Sequence, residues 1–292
     1  MRTTFKQFLF EGGVATSQYN TERANRQDIE TALKIVGDTL GLKDIQDRLL
    51  GSTRLTLSGK KEDSGDVDLV IQNDEIDPEE ADKKMLALTK GEGGMNKGTK
   101  IGSYAVDVGG KKIQVDLMFV DSKDWAKFIF YSSEGENSKY PGAVRNLLLM
   151  AATRHTHEPG KDFIVKNGDE VVARASRALK LDAGLERLFK AAKYDDEKKK
   201  FNKTIDKIEP DELAAHVLKI SGKKPKFDPT PDIKTNPDEI AQWLFGQGVK
   251  AADLMTAEQV IQQIKKRKDA DVIIADARKS LKNAKLPVPK EL

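Results

Sequence analysis

Two short segments with a period of two constrain what this chain can fold into. In 66–71, Val67, Leu69 and Ile71 project to one side and Asp66 and Asp68 to the other. In 111–120, Ile113, Val115, Leu117 and Phe119 share a face, and Asp116 stands opposite beside Gln114 and Met118. Successive side chains of a strand alternate across the sheet, so each segment reads as a strand with one face in a core. A sheet built from them has an apolar face to bury and presents carboxylates on the other. The second segment has a ready neighbour: 99–108 precedes it across Gly109-Gly110, the dipeptide a two-residue hairpin turn demands.

Helices are also legible. In 27–40, Ile29, Leu33, Ile35, Val36 and Leu40 recur at helical spacing. Asp77 before Pro78 is an N-cap followed by proline at the first helical position, opening a helix that should run to about Lys90. A strand is expected over Asp47–Leu50, a polar loop over 58–65, and a strong helix from Tyr140 through Met150. The Gly-rich stretch 91–98 lacks the Gly-Lys-Ser/Thr ending of a P-loop and reads as a loop.

Beyond residue 153 the expectation is mainly helical. A hairpin around Asn167-Gly168 comes first, over 163–172. Ala175, Leu179, Leu181, Leu185, Leu188 and Phe189 then read as a helical stripe from Ala173 onward, and 211–220 continues it. A Pro-rich linker over 222–236 leads to a helix at 237–245 closed by Gly246, and Thr256 caps a further helix running through 260–275. The fold class expected is α+β, with strands and helices over 27–153, a mainly helical domain over 154–292, and a tail over 1–26.

Composition narrows the setting. The 292 residues contain no cysteine, which excludes disulfides and thiolate zinc sites and suits a cytoplasmic protein. No apolar run approaches the roughly 18 residues of a membrane-spanning helix, so no membrane partner is expected. Net charge is +3, but residues 1–150 sum to −3 and 151–292 to +6. The acid-bearing half is thus slightly acidic, and the other half could face a polyanion.

The chemistry resides in the acids. Asp66 and Asp68 share a face, repel each other, and are best tolerated where a divalent cation with hard oxygen ligands, Mg²⁺ or Mn²⁺, neutralises them. Asp116 offers a third ligand from a second strand. Three carboxylates can hold two metals about 3.5–4 Å apart, the arrangement for phosphoryl transfer. Gly51-Ser52 upstream adds a turn where the backbone can approach phosphate closely and a hydroxyl can donate to it.

In this order, Leu50-Gly51-Ser52, then Ser64-Gly65-Asp66-Val67-Asp68, then Asp116, the residues resemble the DNA polymerase β-like nucleotidyltransferase superfamily over about 28–120. That resemblance implies a mixed sheet flanked by helices, Mg²⁺ dependence, and a nucleoside triphosphate donor, with ATP expected, whose nucleotide passes to a hydroxyl. It implies that Asp66, Asp68 and Asp116 are catalytic metal ligands and that Gly51, Ser52 and Arg54 bind nucleotide. Lys139 and Arg145, at the start of the helix after the third acid, would also bind nucleotide, through the triphosphate, the base or the acceptor. The acceptor would be an RNA 3′ end such as that of tRNA, a protein or a small molecule.

Two further signals are recorded. His155 and His157 at i and i+2 do not face each other on a helix and read as surface or phosphate-contact residues. The opening Thr4–Gly13 resembles the short apolar starts of tailed-bacteriophage proteins, some of which are processed after a hydrophobic-x-Glu site; Leu9-Phe10-Glu11 fits. A phage origin would place the protein in the host cytoplasm or the virion. It also carries an alternative reading, a non-catalytic structural or internal head protein that reuses the fold.

Overall fold

The alternating segments pair with each other. In the computed structural model, which describes residues 16–97, 100–131, 138–158, 162–167, 170–195, 197, 200–222 and 232–292, the first half runs β1 (Ala24–Asn25), α1 (Arg26–Leu40), α2 (Thr53–Leu57), β2 (Asp63–Ser64), β3 (Val67–Gln72), α3 (Pro78–Leu88), β4 (Gly93–Asn96), β5 (Ile101–Val108), β6 (Lys111–Val120), α4 (Lys123–Ile129) and α5 (Gly142–Arg154). The main sheet has the order β3-β6-β5-β4. β3 lies parallel to β6 with Asp68 opposite Asp116, and β5 and β6 form the expected hairpin.

The apolar faces of β3 and β6 close a core with α1. Ile29, Ala32, Leu33, Val36 and Leu40 pack against Val67, Leu69, Ile71, Val115 and Leu117, all buried. Local signals agree with the packing. Asn25 and Asp28 cap α1 reciprocally, Gly41 at φ 70° closes it, and the Asp77 carboxylate accepts the N–H groups of Glu79 and Glu80 at the start of α3. Among the described residues, no helix is long and apolar enough to cross a membrane.

Two local expectations are corrected. The segment expected as a strand at 47–50 is a 3₁₀ turn, Ile45–Arg48, and only Leu49 bridges to Leu69. Arg48 decides this: its guanidinium is buried and pairs in two bonds with Glu75 (2.5 and 2.8 Å), which pulls the chain into a turn. The Gly-rich stretch expected as a loop contains β4, paired with β5. Gly93 is fixed there, because a Cβ would sit 2.5 Å from the Ser103 carbonyl oxygen.

The Arg48 hydrogen bond holds the Glu75 carboxyl down to about 2. A carboxylate with a depressed folded-state pKa contributes stability above its unfolded value and loses it as pH falls through the folded one. The window here is pH 4.5 down to about 2. Glu75→Gln should therefore cost about 2–3 kcal/mol at pH 7 and nearly nothing at pH 2, read as converging melting temperatures.

The second half departs most from expectation. It comprises β7 (Phe163–Asn167), β8 (Glu170–Lys180), β9 (Gly184–Asp195), β10 (Lys200–Lys207), α6 (Pro210–Ser221), β11 (Ile233–Lys234), α7 (Pro237–Phe245), α8 (Ala257–Lys265) and α9 (Ala270–Asn283). The hairpin expected over 163–172 is present as paired β7 and β8, and the helical reading is corrected over 173–207, where the chain continues an antiparallel sheet ordered β10-β9-β8-β7 with β11 on β9. Gly168 of the expected Asn167-Gly168 turn lies outside the described residues, as does most of the expected linker.

The misread stripe has a physical cause. One face of β8 and β9 carries the register pairs Ala173↔Ala191, Ala175↔Phe189, Arg177↔Arg187 and Leu179↔Leu185, all buried. The period is two, but two arginines occupy buried positions, and removing them from the apolar pattern leaves spacings that mimic a helix. Arg177 pairs with Glu158 (3.1 Å) and with Asp232, and its guanidinium lies 5.5 Å from the centre of the Trp243 ring. The helix expected through 260–275 is also two helices. Arg267 breaks it by binding Asp269, the His155 and Leu244 carbonyls and the Thr156 hydroxyl. The helices α5, α7, α8 and α9 share one core with Leu179 and Leu185 of the second sheet.

Candidate active site

The three acids meet because two strands and one turn are locked together. Parallel pairing of β3 with β6 sets Asp68 beside Asp116, and Asp66 lies on the same face one alternation earlier. Carboxylate oxygens of all three fall within 4.8 Å of one another, spacing that a shared cation can span. Asp66 and Asp116 are 8% exposed, so only a narrow opening reaches them.

The Gly-Ser turn is bolted to these acids from behind. Thr53, fully buried, donates its hydroxyl to the Asp66 carbonyl (3.1 Å) and accepts the Asp68 N–H (3.3 Å). Leu50 N–H donates to the Asp68 carbonyl and Gly51 N–H to that of Phe130. Gly51 has φ 57°, and a Cβ there would sit 2.5 Å from Asp68 Oδ2. Glycine is thus required twice, for the left-handed backbone and for contact with the acid. The Ser52 hydroxyl shares a hydrogen bond with that of Ser64 (3.1 Å), closing the turn onto the residue two before Asp66.

Asp116 is held by a relay. Gln114 Nε2 donates to both Asp116 oxygens at 3.0 Å, and its Oε1 accepts from the hydroxyl (2.7 Å) and the N–H (3.3 Å) of Thr16. Two donors on Oε1 fix the amide orientation, so the NH₂ must face the acid. All three residues are buried.

Desolvation, then the Asp66 and Asp116 charges, push the Asp68 carboxyl well above the usual range. Arg23, paired with Asp63 at 2.7 Å, is the cation that also feels Asp66. A cavity of about 290 Å³ adjoins Gly51 and is lined by Gln46, Asp47, Arg54, Lys127, Phe130 and Tyr131. Arg54 stacks 4.8 Å from the centre of the Tyr131 ring.

The structure thus brings together Gly51, Ser52, Asp66, Asp68 and Asp116, with Arg54 beside Gly51. Two residues expected to bind nucleotide stand elsewhere. Lys139 is exposed, and its backbone N–H donates to Glu258 of α8 (2.9 Å). Arg145 is fully buried and donates to the carbonyls of Leu254 (2.6 Å) and Phe128 (2.8 Å), so its expected nucleotide contact is corrected. Asn146 next to it donates to the Ile129 carbonyl. Together they add side-chain donors to the last carbonyls of α4, beyond the local Tyr131 N–H to the Phe128 carbonyl (3.3 Å). His155 pairs with Asp276 at 3.0 Å.

Thr16, Arg23, Thr53 and Gln114 were not singled out from sequence. Only Gln114 left a signal, as the i−2 neighbour on the acid's face of β6. Comparison with protein-family models, with curated proteins and with solved structures returns no match.

Proposed function

We propose that this chain is a divalent-metal-dependent nucleotidyltransferase with a polymerase β-like core, moving a nucleoside monophosphate from a nucleoside triphosphate to a hydroxyl acceptor. The observation that carries the reading is the meeting of Asp66, Asp68 and Asp116 within 4.8 Å beside a Gly-Ser turn whose glycine touches Asp68. Three carboxylates at this spacing, one held well above its usual range by burial and then by the other two, match the hard-oxygen donor set that Mg²⁺ or Mn²⁺ takes.

Asp66, Asp68 and Asp116 would hold the metal, which lowers the pKa of a bound hydroxyl and neutralises phosphate charge. The chain's own residues do the rest. Ser52 donates its hydroxyl to a phosphate oxygen, and Gly51 lets the triphosphate approach the backbone. Arg54 offers positive charge beside them. Asp116, oriented by Gln114, draws the proton from the acceptor hydroxyl. The acceptor oxygen bonds to the α-phosphorus, the bond to the β-phosphate oxygen breaks, and pyrophosphate leaves.

The test is incubation with each α-³²P-labelled nucleoside triphosphate, Mg²⁺ or Mn²⁺, and total tRNA, cell lysate or the protein itself as acceptor. Label transferred by the parent and not by the Asp66→Asn, Asp68→Asn double variant supports the reading. Absence of transfer under every combination, together with no thermal stabilisation by metal and nucleotide, would sink it in favour of a structural protein.

A further inference from the structure

The second sheet carries a cleft that the reading above leaves unused. It lies between α6 and the ends of β9 and β10 and encloses about 910 Å³, within the range of sites that hold ligands of nucleotide size. Tyr194 and Phe201 are register partners across β9 and β10, with ring centres 4.9 Å apart, edge to face. His216 of α6 meets Phe201 edge-on at 6.1 Å, and Lys219 Nζ lies 5.8 Å from the Tyr194 ring centre. Tyr194 remains 37% exposed.

The wall also carries polar groups suited to one kind of guest. Lys193, Lys207 and Lys219 line it, against Asp206 and Glu212. Lys207 is shared with Glu186 at 3.4 Å. His216 Nε2 is buried and meets no hydrogen-bond partner. In sequence, 190–207 holds seven lysines against four acids. An acidic peptide would engage the ammonium groups and leave the rings idle. A strand of nucleotides uses both: bases stack on aromatic rings, and the phosphodiester backbone follows the lysines.

We propose that this cleft binds single-stranded nucleic acid. Its role as the acceptor strand rests on the transfer reading above, whereas the binding itself does not. The test is fluorescence anisotropy of labelled oligo-uridylate and oligo-deoxythymidylate with the full chain in EDTA over a salt series. Saturable binding that weakens with salt is expected. Tyr194→Ala should weaken it roughly tenfold or more, while Tyr194→Phe, which keeps the ring, retains it. Lys193→Glu with Lys219→Glu should flatten the salt dependence.

The Asp66→Asn, Asp68→Asn variant should bind as tightly as the parent, so failure of transfer and failure of binding are read apart. Circular dichroism and melting confirm that the variants are folded. Absence of saturable binding would overturn the proposal. So would binding indifferent to Tyr194→Ala, or displacement by polyglutamate as effective as by unlabelled oligonucleotide.

Discussion

Asp68→Asn protein in EDTA at pH 7 melts at a higher temperature than the parent, and it loses nucleotidyl transfer by a factor on the order of 10²–10³ or more. Both effects have one cause. Desolvation and the neighbouring Asp66 and Asp116 charges disfavour the ionised form of Asp68, so its folded-state pKa is raised. An acid of this kind is less costly when protonated. Its stability contribution is present at low pH and is lost as pH rises through the folded value. Ionising Asp68 in the metal-free parent therefore sets its charge against those of Asp66 and Asp116 in a desolvated place, and the amide relieves that cost while keeping the shape.

The stabilisation should shrink as pH falls from the raised folded-state value toward the ordinary carboxylate range, because the folded parent takes up its proton first. Adding Mn²⁺ should raise the parent's melting temperature more than the variant's, by mass action on a site the variant has impaired. Transfer by Asp68→Asn at the parental rate would remove the mechanism. A lower melting temperature in EDTA at pH 7 would remove the electrostatic account.

The second large effect is on folding. Arg145→Met should lower stability by about 2–4 kcal/mol, read from the denaturant midpoint at unchanged slope. The guanidinium is fully buried, stacks 4.3 Å from the centre of the Phe128 ring, and donates to two carbonyls. Methionine fills the space and abolishes the cost of burying a charge, which desolvation already lowers to a pKa of about 9. It removes the Arg145 donor from the Leu254 carbonyl and leaves the Phe128 carbonyl only its local backbone donors. An unchanged midpoint would show that those carbonyls find other partners. Because Phe130, two residues on, accepts the Gly51 N–H, the variant should also handle nucleotide poorly.

The acids were legible because alternation is a strong signal where one face is buried and the other is kept polar by chemistry. Val67, Leu69, Ile71 and Ile113, Val115, Leu117, Phe119 leave no doubt which way Asp68 and Asp116 point. Caps were legible for the same local reason, as Asp77 and Thr256 show. The second sheet was hidden because Arg177 and Arg187 sit at buried strand positions, where an apolar pattern cannot include them. The Tyr194 and Phe201 pair was hidden too: its members are separated in sequence and meet only through β-pairing. Arg145 misled for the opposite reason. A helix-start arginine looks exposed until α4 and the segment before α8 close over it.

The relay from Thr16 through Gln114 to Asp116, and the parallel pairing that sets Asp68 beside Asp116, join stretches of chain far apart in sequence. Such contacts form late, since closing long loops precedes any gain from them. During synthesis β3 must wait for β6 to emerge, and by then β5 is ready to fold against it as a local hairpin. A growing chain therefore carries Asp116 apart from Asp66 and Asp68, and the three acids come together only when the hairpin has left the ribosome and β3 has docked on its far edge.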